Sequence, residues 1–114
     1  SGLYSTAQSQ FEAGKYTEAL VTFDQIVKSG GKRTGTIMIY QGMAQMETGQ
    51  FTTADVTFNT LINSNSIDAQ KGYWYKALLF LKQGESDKAA KVLQKISQQK
   101  MYKAEEAEEL LEQL

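Results

Sequence analysis

Three segments of the chain share one pattern: EAGKYTEALVTF (residues 12–23), ETGQFTTADVTF (residues 47–58) and KQGESDKAAKVL (residues 82–93). Their glycines, Gly14, Gly49 and Gly84, lie 35 residues apart, and an alanine follows each glycine five residues later. A fixed period of this length is typical of one small supersecondary unit that is stacked several times along a chain. We therefore expect a repeat protein whose function lies on a surface shared by the units.

The residues on either side of each glycine predict two helices per unit. Before the glycine, a small residue stands four residues after one bulky apolar residue and four before another, which places all three on one helical face. These triplets are Leu3, Ala7 and Phe11, then Met38, Gly42 and Met46, then Tyr73, Ala77 and Leu81. After the glycine, a second apolar stripe runs through Ala19, Phe23 and Ile26, through Ala54, Phe58 and Leu61, and through Ala89, Leu93 and Ile96.

The turn between the two helices is predicted to be short. A glycine in left-handed conformation commonly ends a helix, and a threonine or serine soon afterwards is suited to cap the next one. Thr17, Thr52 and Ser86 stand at the capping positions. A turn of a few residues makes the helices antiparallel, so each unit is expected to be a helical hairpin.

Two polar stretches separate the units, Ser29 to Gly35 (SGGKRTG) and Asn63 to Ser66 (NSNS). We read them as loops inside a single domain, residues 1–114, with repeats at about 1–33, 35–66 and 67–100. Residues 101–114 depart from the repeat and predict a capping helix. Its apolar face holds Ala104, Ala107, Leu110, Leu111 and Leu114, and its other face holds Glu105, Glu106, Glu108, Glu109 and Glu112.

The composition disfavours several kinds of partner and of catalytic site. Twelve basic and thirteen acidic residues give a net charge of -1, which disfavours nucleic acid and anionic membranes as partners. The absence of Cys and His removes the commonest nucleophile, general base and transition-metal ligands. No catalytic residue, metal or cofactor is expected, and the chain is interpreted as non-enzymatic. Consecutive glutamates on one helix point in different directions and form no oxygen cage, so we assign the acidic run to a solvated face.

No apolar stretch reaches the 18 residues of a membrane span, and the first residues lack the features of a signal peptide. We expect a soluble fragment of a longer protein, and the cellular compartment stays open. Lys28, Lys32 and Arg33 beside Gly30 and Gly31 lack the strand-to-helix context of a phosphate loop and are interpreted as an ordinary loop.

The order of small residue, glycine and Ala-x3-Phe resembles the tetratricopeptide repeat (TPR), whose pattern is W-x2-L-G-x2-Y, then A-x3-F, then P, over 34 residues. Ala19-x3-Phe23 and Ala54-x3-Phe58 match in full, and Ala89-x3-Leu93 is close. The tryptophan, leucine and proline positions depart from the pattern, so these are degenerate repeats. The third unit with its acidic helix looks like the last repeat of bacterial membrane-anchored TPR proteins.

The resemblance implies an all-α, right-handed superhelix of three hairpins and a capping helix, which would bind a peptide or protein segment in its concave groove. It places six residues on the inner surface, in two rows: Tyr4, Ile39 and Trp74, then Gln8, Met43 and Leu78. Glu12, Glu47 and Lys82 would lie near the rim. TPR domains that clamp a carboxylate use Lys, Asn and Arg at inward positions, so this subset does not fit. Packing of Trp74, Met43 and Leu78 between helices is the other interpretation of the same residues.

Two further functions stay open. The domain could be an oligomerisation or spacer module of a larger membrane-associated protein, with Tyr4 and Phe11 on its first helix mediating self-association. A period of 35 is also similar to pentatricopeptide repeats, which bind single-stranded RNA, although the acidic balance and the small number of units argue against this alternative.

Overall fold

The computed structural model describes residues 2–114, which form seven α-helices. In chain order these are α1 (Gly2–Glu12), α2 (Tyr16–Lys28), α3 (Gly35–Glu47), α4 (Phe51–Ile62), α5 (Lys71–Lys82), α6 (Ser86–Gln98) and α7 (Ala104–Gln113). No strand occurs within residues 2–114. Consecutive helices pack as the pairs α1 with α2, α3 with α4 and α5 with α6. The all-α class is confirmed, and the arrangement is that of a TPR-like superhelix.

The three repeated glycines adopt the left-handed conformation that the sequence predicts. Their φ angles are 76° at Gly14, 78° at Gly49 and 75° at Gly84. In the first turn the Gly14 amide donates to the Phe11 carbonyl (2.9 Å), and the Lys15 amide donates to the Gln10 carbonyl (2.8 Å). The other two turns repeat both hydrogen bonds, which together define a Schellman motif. Each turn therefore uses the last carbonyls of one helix to redirect the chain into the next.

The predicted capping residues are wrong. The residues that precede the second helices are Lys15, Gln50 and Glu85, and none of them caps its helix with a side-chain hydrogen bond. Thr17 and Thr52 are the second residues of α2 and α4, and Ser86 is the first of α6. The Schellman turn is so short that the helix has already begun where the hydroxyls occur. The Thr34 hydroxyl caps α3 instead, accepting from the Ile37 amide at 3.1 Å.

Small residues let the paired helices approach closely, as predicted. Ala7 and Ala77 are fully buried, and a Cβ atom added to Gly42 would overlap the ring of Phe58. The second helices supply the largest buried side chains of the core, among them Phe23, Phe58 and Leu93. The core therefore runs along the stack between the two rows of helices.

An aromatic stack joins each pair to the next, and the sequence analysis did not predict it. Tyr40 on α3 stacks on Phe23 with ring centroids 5.3 Å apart, and Tyr75 on α5 stacks on Phe58 at 5.9 Å. The two tyrosines are 35 residues apart. After another 35 residues, Leu110 on α7 packs against the cluster that contains Leu93. Helix α7 therefore occupies the place of the first helix of a fourth pair.

Most of the predicted apolar face of α7 is confirmed. Ala107 is fully buried, while Ala104, Leu110 and Leu111 pack against the cluster of Ala77, Leu93 and Ile96. Leu114 is the exception because 51% of its surface is exposed at the end of the helix. The five glutamates of α7 are exposed, in agreement with a solvated outer face.

A hydrogen bond across the first pair and across the second has no equivalent in the third. The Thr22 hydroxyl donates to Gln10 Oε1 at 2.7 Å, and the Thr57 hydroxyl donates to Gln45 Oε1 at the same distance. The corresponding residues of the third pair are Phe80 and Val92. The third pair thus has two apolar side chains where the others have a polar contact between helices.

Candidate binding surface

The six predicted binding residues lie on the first helices of the pairs. Tyr4 and Gln8 are on α1, Ile39 and Met43 on α3, and Trp74 and Leu78 on α5. Each is partly buried, so none belongs wholly to the core and none is fully free. Helix α3 contacts α5, which brings the second and third pairs of these residues onto neighbouring helices. We call the six residues the inner surface.

The two inner-surface residues of α1 have partners within the chain. The Tyr4 ring meets Phe23 edge to face, with centroids 6.3 Å apart. Gln8 Nε2 donates to the Tyr40 hydroxyl at 3.1 Å. Burial raises the pKa of the Tyr4 hydroxyl, and the charge of Tyr40 acts in the same direction. This end of the surface is held by contacts to α2 and α3.

Trp74 combines a packing role with exposed surface. Its ring packs against the cluster of Ala77, Leu93, Ile96, Met101 and Ala107. The Lys103 ammonium lies 5.9 Å from the ring centroid, within cation–π range. Met43 has the same mixed character, because it packs against the cluster of Met46, Ala54, Phe58 and Leu79 while it stays partly exposed. Packing of these two side chains is therefore observed, their remaining surface is exposed, and their role in binding stays a prediction.

Two of the three predicted rim residues, Glu47 and Lys82, form an ion pair between the second and third helix pairs. Lys82 Nζ lies 3.7 Å from Glu47 Oε2, which links the ends of α5 and α3. Glu12 is exposed at the end of α1. The ion pair is largely exposed, so it orients side chains more than it stabilises the fold.

Arg33, in the loop after α2, has a structural role. Arg33 Nε donates to Gln41 Oε1 at 2.8 Å, and Gln41 is buried. The loop lines a cavity of about 400 Å³ that also involves Ser66, Ile67 and Asp68 from the loop after α4. Ile67 is 98% exposed there.

A second cavity lies between residues of α4, α5 and α6, and the sequence analysis missed it. It measures about 440 Å³ and is lined by Asn59, Ile62, Asn63, Tyr73, Lys76, Phe80, Lys88, Lys91 and Val92. We call it the lysine cleft. Comparison of in-phase positions would have indicated it, since Phe80, Val92 and three lysines replace residues of other types in the first two repeats.

Tyr75 has the most strongly shifted titration of the tyrosines. Burial raises the pKa of its hydroxyl well above the usual value of 10.0, and the neighbouring Tyr102 hydroxyl raises it further. The two rings are 6.5 Å apart between centroids. Tyr75 therefore stays neutral well beyond the pH at which an exposed tyrosine ionises.

Within residues 2–114 no three His, Cys, Asp or Glu side chains converge in a way that could hold a metal ion. None of the helices in the same range has the length and apolar character needed to cross a membrane.

Comparison with known proteins agrees with the geometry. The family model for the tetratricopeptide repeat matches residues 1–29 and 72–99, which correspond to the first and third helix pairs and cover half of the chain. Neither the search of curated proteins nor the search of solved structures gave a match. With three in-phase helix pairs, a seventh helix in the same register and the family model on two of the pairs, the chain belongs to the tetratricopeptide repeat family.

Proposed function

We propose that the chain is a non-catalytic scaffold that binds a peptide or protein segment on its inner surface, the six residues Tyr4, Gln8, Ile39, Met43, Trp74 and Leu78. Tetratricopeptide domains typically bind proteins or peptides, and stacked helical repeats present extended surfaces for this purpose.

The partial burial of Trp74 is the observation that carries the proposal. A tryptophan that packs on one side and is exposed on the other is already oriented, so little side-chain entropy is lost when a partner covers it. Tryptophan is also enriched among residues that dominate binding energy. Leu78 lies one turn further along the same helix, and Met43 lies on the neighbouring helix α3. The partner segment should therefore present an apolar side chain to this end of the surface.

The alternative function, self-association through α1, is less well supported by the contacts. Phe11 lies 5.2 Å from Tyr16 and 5.0 Å from Tyr40, measured between ring centroids, so its ring is engaged within the chain. Leu3 is the feature that favours the alternative, because 42% of its surface is exposed. We retain self-association through Leu3 and Tyr4 as the second candidate.

The test uses Trp74 as its own reporter, since it is the only tryptophan in the chain. Peptides selected from a random library on the wild-type protein are titrated while tryptophan fluorescence and peptide anisotropy are recorded. We expect binding to change the emission, and we expect Met43→Glu and Leu78→Glu to weaken binding at least about tenfold, the effect of losing a buried anchor contact.

Val56→Glu is the matched control because Val56 is 60% exposed on α4, away from the inner surface. It introduces the same charge and should leave the affinity unchanged. Circular dichroism verifies that all three variants keep their helices. Unchanged affinity in both inner-surface variants, with no change in tryptophan emission, would contradict this location of the site.

A further inference from the structure

The lysine cleft has an apolar floor and a basic rim. Helix α5 contributes Tyr73 and Phe80 to it, α4 contributes Ile62, and α6 contributes Val92. Lys76 Nζ lies 5.6 Å and Lys88 Nζ 5.9 Å from the centroid of Phe80. The cleft therefore suits an acidic partner, whose carboxylates would meet the lysines while the methylene groups of its side chains cover the apolar floor.

One end of the cleft is neutralised within the chain and the other end is not. Lys76 Nζ lies 3.5 Å from Asp55 Oδ1, and Lys88 Nζ lies 3.7 Å from Glu85 Oε1. Among residues 2–114, Lys91 and Lys95 form no ion pair with a carboxylate. Lys95 instead lies 4.4 Å from the centroid of Tyr73, a residue of the cleft. The positive charge is thus least compensated along the middle and far end of α6.

This basic surface belongs to the third repeat alone. Lys76 takes the place of Thr6 and Gln41, and Lys88 takes that of Glu18 and Thr53. Lys91 replaces Val21 and Val56, and Lys95 replaces Gln25 and Thr60. Four in-phase positions that hold no lysine in either earlier repeat all hold one here, so the charge is not a by-product of the repeat pattern.

A surface of matching charge occurs elsewhere on the same chain. Residues 67–100 contain seven lysines and three carboxylates, a balance of +4, whereas residues 101–114 contain one lysine and five glutamates, a balance of -4. Glu105, Glu108, Glu109 and Glu112 lie on the exposed side of α7, and none of them forms an ion pair within residues 2–114. We call these four residues the acidic face.

The two charged surfaces also match in spacing. Lys88, Lys91 and Lys95 are separated by three and then four residues, which places them on one side of α6. Glu105, Glu108 and Glu112 have the same separations along α7. Two helices with this spacing can align three pairs of opposite charges along one line of contact.

We propose that the lysine cleft of one copy of this chain binds the acidic face of α7 from a second copy. Within one chain α7 packs on the side of α6 that carries Leu93 and Ile96, through its own apolar face, so its acidic face points outward and is free for another copy. Each copy then offers one cleft and one acidic face. The contact is head to tail, and assembly should grow with concentration.

Sedimentation velocity over a range of protein concentrations tests the proposal. At an ionic strength of about 0.02 M we expect the sedimentation coefficient to rise with concentration above that of the 12.7 kDa monomer, and at about 0.5 M we expect screening to reduce the association. The paired substitution Lys88→Glu with Lys91→Glu should weaken association at least about tenfold, as should Glu108→Lys with Glu112→Lys.

These substitutions are chosen to preserve the fold. Lys88 is near the start of α6, where a glutamate interacts favourably with the helix dipole, and Glu112 is near the end of α7, where a lysine does. The matched control is Lys15→Glu with Lys32→Glu, which makes the same change in net charge at exposed positions of the first repeat. The control should associate like the wild type.

A mixture of the two reversed variants gives the decisive result. Each should associate weakly alone, and together they should associate again, because the unchanged cleft of one meets the unchanged acidic face of the other and the reversed cleft meets the reversed α7. A wild type that stays monomeric at low ionic strength would overturn the proposal, and so would reversed variants that associate like the wild type or a mixture that does not. Binding of polyglutamate by a chain that stays monomeric would assign the cleft to another acidic protein and overturn the second copy as its occupant.

Discussion

The first two repeats and the third share their turns and their core but differ on the side formed by the second helices. In the first two, a glutamine of the first helix accepts a hydrogen bond from a threonine of the second. In the third, Phe80 and Val92 take these places, and lysines surround them. Residues that close the hairpin are repeated because every unit needs them. Thr22 and Thr57 are buried, so the third repeat differs in an interior contact as well as in its surface lysines, and both have changed in one unit without loss of the fold.

The shared turn gives the largest expected effect. Gly49→Val should lower the free energy of unfolding by about 1 to 3 kcal/mol, because a β-branched residue is strained at a φ of 78°. No atom lies within 4 Å of the position a Cβ would take, so the loss must come from the backbone. Chemical denaturation measures it.

Gly49→Asn is the control for this turn, since asparagine adopts the left-handed conformation more readily than valine. It should lose less stability than Gly49→Val. If valine and asparagine had equal effects, or if neither changed stability, the left-handed turn would not be under the strain that we describe. Gly14→Val should behave like Gly49→Val if the repeats are alike at this point.

The hydrogen bond that distinguishes the repeats gives an intermediate effect. Thr57→Val alone leaves Gln45 Oε1 without its donor in a partly buried place and should reduce stability by about 1 to 2 kcal/mol. The double variant Gln45→Phe with Thr57→Val copies the third repeat and should recover most of this loss. Thermal and chemical denaturation of the two single variants and the double variant form a double-mutant cycle.

If the losses of stability in that cycle are additive, the two positions act independently. The hydrogen bond between them would then not be what distinguishes the first two repeats from the third. Exposed Thr53→Val on the same helix is the control, because it makes the same chemical change without breaking a contact between helices. It should change stability by less than about 0.5 kcal/mol.

The smallest effect concerns the stacked tyrosines that join the repeats. The pKa of Tyr75 is raised in the folded chain, so the folded state holds its proton more tightly than the unfolded state does. Stability supplied by neutral Tyr75 is complete below pH 10 and is lost as the pH rises above that value, where the unfolded chain ionises first. Tyr75→Phe keeps the stacked ring but has no hydroxyl to ionise. When the pH is raised from about 9 to 11, its free energy of unfolding should fall by less than that of the wild type.

Tyr40→Phe is the control for this prediction, since Tyr40 stacks on Phe23 in the corresponding place of the preceding repeat. Its dependence on pH should follow that of the wild type. Parallel stability curves for the wild type and Tyr75→Phe would contradict the assignment to Tyr75.

Local patterns of sequence predicted much of the fold. The 35-residue period and the apolar triplets gave the helix pairs, and the recurring glycines gave turns whose conformation the structure confirms. These features depend on residues within one or two helical turns of one another, so they can be read directly along the chain. The caps failed for a related reason, because the exact length of a turn decides whether a threonine precedes a helix or lies inside it.

The inner surface could be predicted only as a set of positions. Sequence placed Tyr4, Met43 and Trp74 on first helices, but the extent of their burial depends on helices far away in the chain, such as α7 beside Trp74. Their role in binding stays a prediction. The stacking of Tyr40 and Tyr75 was missed because it joins one unit to the next, and no pattern within a single unit indicates it.

The sequence by itself determined that this protein is a stack of helical hairpins with a final, acidic helix. The tertiary structure decided which neighbours each side chain has, even where residues occupy the same position in different repeats. Phe80, Lys88 and Lys91 line one cleft because α6 packs on α5 while α5 packs on α4 of the preceding unit. The physical reason is the separation along the chain of the residues that interact. Helices and turns follow from neighbours along the chain, whereas a binding surface follows from the packing of units that the chain connects over many residues.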